Sequence, residues 1–532
     1  MKKFLTAAVL FATFVQAGAQ SKNFKLGQAL EIQSTVLQEV ADNYVDTVDF
    51  RRMIDKGINA MLGTLDPYTV YFPEEDEETV QLMTTGIYGG VGSLIRKLPG
   101  QPVKLVEPYE GSPAVKAGLE PGDEIVAIDG QSILDLTSEQ ASDRMKGQPA
   151  TDVRFTVIKG RSGDTVDVTV TRERIHISNV VYAGMIRDSI GYIAIDGFTS
   201  NLNEEVRKEF EQLRNQGAKR LVIDLRDNGG GVMEEAIEIA SIFVPKGTLV
   251  VSSKGRAHGN DMEYRTTLAP LDTVIPLLVM INSQSASASE IFAGAMQDLD
   301  RATVAGKRSY GKGLIQSIRP TPYNGKVKIT TGKYYTPSGR CVQAIDYSHR
   351  NEDGSVGFVP DSLKKEFKTR SGRSVYDGGG ITPDIEVESP QFSRTAIALV
   401  MGDITGDFAI EYYKKHPSIA SAGEFRMSDA DYEDFVKFAA TQEFDVRSSA
   451  QTALDALIKV AESDNLYGSY KAEIDALSAK LNLDKESSLR ARKAEILPLV
   501  EREIVEKYYF NRASTVVSLR NDPQLNSALD KW

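Results

Sequence analysis

The chain has 532 residues, 41% of them hydrophobic and 26% charged, with a formal net charge of −12 and a pI near 5.2. That length exceeds one ordinary hydrophobic core and predicts three or four domains. The acidic balance disfavours the clustered Lys and Arg that phosphate recognition requires, so no nucleic-acid partner is expected.

The chain opens Met1-Lys2-Lys3, continues with an apolar run from Phe4 to about Val15, and then reads Ala17-Gly18-Ala19. A basic start, a short apolar stretch and a small-x-small site describe a secretory leader over residues 1–19, cleaved near Ala19. The alternative is a membrane anchor, but the apolar run is well short of the roughly 20 residues a span needs. Cys341 is the single cysteine, so no intramolecular disulfide can form. An exported protein without one suits a bacterial periplasm or secretion from a bacterium, and Cys341 itself is expected to be packed.

Residues 20–85 form a helical N-terminal module, with Leu30, Ile32, Val36 and Val40, then Met53, Ile54, Ile58, Met61 and Leu62, recurring at helical spacing. Leu65-Asp66-Pro67-Tyr68 ends the second helix. From residue 86 the pattern becomes short β runs, at 92–96, 103–106, 124–128, 153–159 and 166–172, separated by Gly- and Pro-rich turns. Within it, "GSPAVKAGLEPGDEIVAIDGQSI" resembles the central stretch of bacterial PDZ modules. The resemblance implies a β-barrel-like PDZ domain over residues 86–175. Tyr88, Gly89, Gly90, Val91 and Gly92 would then be the loop whose N–H groups hold a peptide carboxylate, beside a strand edge that accepts an added strand. The alternative is that these glycines only bend a hairpin.

Residues 176–390 read as an α/β core. Strands at 192–195, 221–225 and 276–281 lack polar alternation, which predicts burial on both faces, and they alternate with helices at about 203–216, 232–243 and 288–299. Residues 391–532 read as helical, ending near Leu519.

The chemistry concentrates between 281 and 317. Ser283, Ser285, Ser287 and Ser289 alternate with small residues where a strand runs into a helix, and Lys312 follows between Gly311 and Gly313. Ser287-Ala288-Ser289-Glu290 also fits a capping box, which would leave Ser287 a helix cap. Against that, one helix needs one cap, and a helix N-terminus favours a developing oxyanion. A lysine in apolar surroundings can serve as a base, because desolvation disfavours its ammonium form. A solvated surface lysine is the alternative. The histidines are His176, His258, His349 and His416, and no Gly-x-Ser-x-Gly elbow is present. The stretch from Gly306 to Lys312 matches a P-loop up to its lysine, but Gly313 replaces the required Ser or Thr and a strand follows, so nucleotide binding is not expected.

Ser-Ala-Ser-Ala-Ser-Glu-Ile, Arg301-Ala302, Tyr310-Gly311-Lys312-Gly313 and Gln316 together resemble the C-terminal processing peptidases, or tail-specific proteases. "LVIDLRDNGGG" at 221–231 and "GGGITPDIEV" at 378–387 continue the resemblance, which covers roughly residues 30–390. It implies a crotonase-like α/β peptidase core in which Ser287 is the nucleophile, Lys312 its base and Gln316 the residue orienting the lysine. The N–H of Ala288 and one from 228–231, taken as Gly230, would form the oxyanion hole. Gly229 stands where many relatives have proline, and Tyr68 where many have histidine.

The resemblance thus implies an exported serine endopeptidase, without metal or cofactor, cleaving proteins near their C-termini after the PDZ domain has bound the free tail. Its expected partners are proteins or peptides with accessible C-termini, with the C-terminal helices as candidate sites for a homo-oligomer contact, and an adaptor as a further candidate partner. The competing readings are an inactive PDZ scaffold and a Ser-His hydrolase using His258.

Overall fold

In the computed structural model, residues 2–532 are described apart from 99, 188, 258, 260, 446–448 and 482–483, with side chains from residue 23 onward. The predicted leader therefore lies outside the described side chains. Among the described residues no helix is long and apolar enough to cross a membrane. The chain divides into two units, residues 1–74 with 318–329, and residues 75–317 with 330–532.

The smaller unit holds the helices Lys2–Asn43 and Phe50–Gly63 and the strand Val70–Phe72, which pairs antiparallel with Lys326, Val327 and Lys328. Asp49 caps the second helix by accepting the Arg52 N–H at 3.0 Å. After that helix, the buried Asp66 accepts the Tyr68 and Thr69 N–H groups at 2.8 and 2.9 Å, which explains the Leu-Asp-Pro-Tyr turn.

The larger unit begins with the short helix Glu77–Thr85 and a domain built on antiparallel strands in the order Ser93–Lys97, Val103–Pro108, Glu124–Ile128, Asp152–Ile158 and Thr165–Thr171. Val153, Phe155 and Val157 face inward on alternate positions, as a sheet with one buried face requires. Ser93–Lys97 lies at the edge of this sheet.

The next sheet has six strands, ordered Val180–Arg187, Ile190–Ile195, Arg220–Asp224, Leu277–Ile281, Thr303–Gly306 and Ile385–Glu386, parallel after the first pair. Every residue of Ile190–Ile195 and Leu277–Ile281 is buried, matching their unbroken apolar sequence. One face packs on Leu202–Asn215, Met233–Ala240 and Ala288–Asp298. The opposite face packs on Leu525, Ala528 and Leu529 of a last helix, Pro523–Lys531. That helix corrects the expectation of helical structure ending near Leu519. Asp522 accepts the Leu525 N–H at 2.9 Å and Pro523 occupies the first turn, a start signal that outweighs the interruption at 521–522.

The C-terminal helices also hold the five-stranded domain. Arg96 pairs with Asp403 and Asp407, Lys104 reaches Asp407 at 3.2 Å, and Arg161 lies 4.0 Å over the Tyr413 ring. Glu107 accepts the Asn511 N–H at 2.9 Å, just after Phe510 breaks the helix Lys493–Arg520 at φ 64, ψ 173. Burial and then the Glu506 charge push the Glu107 carboxyl up to about 7, against the Asn511 N–H, the Lys507 ammonium and, again raising it, Glu503. Glu107 therefore takes up a proton on folding between its ordinary 4.5 and about 7. Its contribution is present below the lower value and lost as pH rises through the upper one. Urea unfolding of the wild type against Glu107→Gln should show the difference in stability changing by about 3 kcal/mol across that window, with the wild type losing ground as pH rises. A difference that stays constant with pH would refute the raised carboxyl.

Candidate active site

The four serines differ in what the fold leaves them. Ser285 is fully buried and donates to the Leu225 carbonyl at 2.7 Å, and Ser289 is fully buried and donates to the Asn228 carbonyl at 2.9 Å. Ser283 is exposed on the turn. Ser287 is half-buried at the start of the helix Ala288–Asp298, with φ 56 and ψ −114. An N-cap residue ordinarily sits in the extended region, and Ser287 does not, although the Glu290 side chain of its capping box accepts the Ser287 N–H at 2.9 Å. A non-glycine residue at such angles costs about 1–3 kcal/mol and persists only where its surroundings enforce it. Local geometry thus singles out the serine that the capping pattern left ambiguous.

The enforcing group is Glu290. Its carboxylate is fully buried and accepts four hydrogen bonds, from the Ser287 N–H at 2.9 Å, the Lys312 N–H at 2.8 Å, the Gly311 N–H at 2.7 Å and the Ser309 hydroxyl at 2.5 Å. Burial pushes this carboxyl up, and the four donors oppose it. A single oxygen, Oε2, receives the backbone of both Ser287 and Lys312. Tyr334, also fully buried, donates its hydroxyl to the Ser287 carbonyl at 3.2 Å.

Lys312 lies in a loop and not on a strand, since the strand begins at Leu314 and runs to Pro320. Gly311 has φ +88, and a Cβ there would fall 2.4 Å from the Ala344 Cβ. A Cβ on Gly313 would lie 2.7 Å from the Gln343 N, and the Gly313 N–H donates to Gln343 Oε1 at 2.7 Å. These close approaches bend the chain before the strand, which starts at Leu314 as its apolar run predicts and leaves Lys312 in the loop. Gln316 is on the strand and donates from Nε2 to Thr330 Oγ1 at 3.1 Å. The strand that follows the loop also departs from P-loop geometry, which requires a helix there.

The glycine loop closes the site from the other side. Gly230 has φ +98, and a Cβ there would sit 2.7 Å from the Ser287 Cβ and 2.9 Å from the Ala288 N. Gly230 and Ala288 are therefore neighbours beside Ser287. In this structure, however, the Gly230 N–H donates to Asn228 Oδ1 at 2.8 Å. The start of the loop is fixed by Asp224, which accepts the Tyr192 hydroxyl at 2.6 Å, and by Arg226, which pairs with Asp224 and with Asp522 at 2.5 and 2.6 Å.

Of the other candidates, Cys341 is packed near Gly313 and burial pushes its thiol up, which opposes a thiolate role. His176 faces Glu205, His349 faces Asp346, and His416 stacks on Tyr412. His258 lies outside the described residues. Among the described residues no group of three or more metal-binding side chains occurs. In the PDZ-like part, Tyr88 to Gly90 belong to the strand Ile87–Gly90, paired with Glu173–His176, so the expected loop is confined to Val91 and Gly92, where Gly92 makes the turn at φ +73. Tyr88 and Val91 line a cavity of about 280 Å³ between the edge strand Ser93–Lys97 and the helix Ser138–Met145, with Leu94, Ile95, Met145 and Lys146.

Family models agree with this layout. A PDZ domain model matches residues 105–159, a peptidase family S41 model matches 189–349, and the C-terminal helical domain of probable PDZ-proteases matches 395–531. The carboxy-terminal-processing protease of Bartonella bacilliformis is 34% identical over 359 residues, spanning 67% of this chain and 74% of that one. This chain belongs to the carboxy-terminal-processing protease family. It is a multidomain α/β serine-type peptidase with a PDZ domain, a peptidase core and a helical C-terminal domain. The Synechocystis carboxyl-terminal-processing protease is 37% identical over 316 residues, spanning 58% of this chain and 70% of that one. A solved photosystem II D1 C-terminal processing protease is 26% identical with a TM-score of 0.36, covering 68% of this chain and 86% of that one.

In this candidate site the sequence placed Asn228 only within the oxyanion stretch 228–231 and gave no sign of Tyr334. Glu290 was visible only as a capping partner, because its other three donors lie about twenty residues along the chain.

Proposed function

We propose that this protease is an exported endopeptidase that cleaves proteins near their C-termini through a Ser287–Lys312 dyad. The observation that carries the reading is Glu290 Oε2, which anchors the backbones of both residues while Ser287 alone of its serines keeps a half-buried hydroxyl in a strained conformation. Ser287 Oγ attacks the scissile carbonyl, and neutral Lys312 takes the hydroxyl proton and passes it to the leaving amine. The resulting acyl-enzyme is hydrolysed by water, with the same lysine as base. The Ala288 N–H, at a helix N-terminus, and the Gly230 N–H stabilise the oxyanion. Gln316 keeps its family role as the partner orienting Lys312 by resemblance alone.

The test is cleavage of an unfolded protein ending in apolar residues. His258→Ala should cleave at the wild-type rate, whereas an inactive His258→Ala variant would transfer the reading to a Ser-His hydrolase.

The substrate's tail adds as a strand to the edge Ser93–Lys97, with its terminal carboxylate at Tyr88–Gly92 and its last side chain in the apolar cavity. The edge position of Ser93–Lys97 in its sheet and the cavity lined by Val91, Leu94, Ile95 and Met145 support this reading. A peptide with a free carboxylate should bind at least about tenfold more tightly than its C-terminal amide, because the amide gives up charge-assisted bonds. Equal affinities by calorimetry would remove the carboxylate from recognition.

A further inference from the structure

We propose that Asn228 is a positioning residue that holds the Gly230 N–H away from the oxyanion at rest and yields it only when the tetrahedral oxygen forms. The inference rests on Ser287 as the nucleophile. Asn228 is fully buried and fixed on every side. Its Nδ2 donates to the Ile195 carbonyl at 2.8 Å, and its Oδ1 accepts the Gly230 N–H at 2.8 Å. Its own carbonyl accepts the Ala286 N–H at 3.0 Å and the Ser289 hydroxyl at 2.9 Å, the two residues that flank Ser287 on either side. The side chain therefore cannot swing without breaking its anchor on Ile195.

What can turn is the peptide plane between Gly229 and Gly230. A Cβ on Gly229 would meet nothing within 4 Å, so the Gly229 Cα borders open space. The Gly230 carbonyl belongs to the next plane and stays held by the Phe198 N–H at 3.0 Å. Glycine at both ends lets the intervening N–H change direction with little steric cost. Gly230 already lies against Ser287 and Ala288, so a modest rotation redirects its N–H toward the reacting carbon's oxygen.

The choice between acceptors follows from charge. A neutral side-chain amide and a neutral substrate carbonyl are comparable acceptors, so a bound substrate has no advantage over Asn228. An oxyanion accepts a hydrogen bond roughly twice as strong as a neutral one. The N–H therefore transfers only in the tetrahedral state, and its stabilisation falls on the chemical step and not on binding.

The test uses the full chain with glycine carbonyl carbons and nitrogens and asparagine nitrogens isotopically labelled. Gly90, Gly230, Gly231, Gly379 and Gly380 are the amides that follow a labelled glycine carbonyl. Gly229→Ala removes the Gly230 signal from that set and so assigns it, and Asn228→Asp assigns the Asn228 side-chain amide. The probe is an apolar peptidyl boronic acid, which forms a tetrahedral adduct on a serine oxygen. The expected result is one adduct by mass, a downfield shift of the Gly230 amide proton, and a shift of the Asn228 side-chain amide as its oxygen loses a donor. An adduct with the Gly230 and Asn228 signals unmoved overturns the inference and leaves the nucleophile standing. No adduct overturns the reading of Ser287 and this inference with it. As a second readout, Asn228→Asp places a charged acceptor against the Gly230 N–H. It should lower kcat about tenfold or more with KM changed less than about twofold, whereas an unchanged kcat in the folded variant counts against the proposal.

Discussion

Replacing Ser287 with alanine is expected to lower kcat by about 10⁴-fold or more, with KM changed little, when cleavage of an unfolded protein with an apolar tail is followed. The removed atom is the one that would bond to the scissile carbonyl, whereas the tail site proposed at residues 88–97 is remote in sequence and outside the sheet that carries Ser287. Lys312→Ala should fall by a similar factor, because a serine hydroxyl without a base is a weak nucleophile. The double variant should be no worse than either single one, since the two side chains act as a unit and their losses do not add. Ser285→Ala and Ser289→Ala form the contrast. Ser289→Ala loses one buried hydrogen bond and Ser285→Ala two, to the Leu225 carbonyl and from the Asn282 N–H, each worth about 1 kcal/mol of stability, and the protein that remains folded should keep its turnover chemistry. If Ser287→Ala retains activity, or if Ser285→Ala is the variant that loses it, the assignment of the nucleophile is wrong.

That contrast was only half legible in the sequence. The alternation of Val153, Phe155 and Val157 and the unbroken apolar strands at 190–195 and 277–281 state their burial directly, because side-chain period and burial are linked by strand geometry. The serine-rich turn states less. Four hydroxyls in a row look equivalent until the Leu225 and Asn228 carbonyls, some sixty residues earlier in the chain, take two of them. The strand after Lys312 was legible in the apolar run that starts at Leu314, but the shape of the loop before it was not, because that depends on Gly311 and Gly313 packing against Ala344 and Gln343, some thirty residues later. The helix Pro523–Lys531 carried its own start signal in Asp522-Pro523, yet its role, covering the second face of the core sheet, depends on where a distant chain end lands. The Glu107 contact with Asn511 has no local signature at all, since neither residue belongs to a motif.

The second large effect is expected at Glu290. Alanine there removes the acceptor of three backbone N–H groups and one hydroxyl in a fully buried place. Each orphaned donor costs about 1–3 kcal/mol, but relaxation lets some find new partners, so a net loss of about 3–5 kcal/mol is expected, as for breaking other buried charged networks. A fall of the melting temperature by about 10 °C follows for a domain of this size. Glu290→Gln separates stability from chemistry. A glutamine presents one oxygen and one NH₂ group, so either the Ser287 and Lys312 N–H groups or the Gly311 N–H must face another donor, since the Ser309 hydroxyl can turn to accept. Aspartate is one methylene too short to reach both sides. Glu290→Gln should therefore fold with a lowered melting temperature and lose about 10² in kcat per folded molecule. Releasing either the shared anchor on Oε2 or the Gly311 N–H next to Lys312 moves the backbone of a reacting residue by a fraction of an ångström to an ångström, and misplacement of that size costs about this factor. Active-site titration of the folded fraction, run beside the melting curve, reads the two effects separately. A Glu290→Gln protein with wild-type kcat and wild-type melting temperature would mean that the four hydrogen bonds neither hold the loop nor set the dyad.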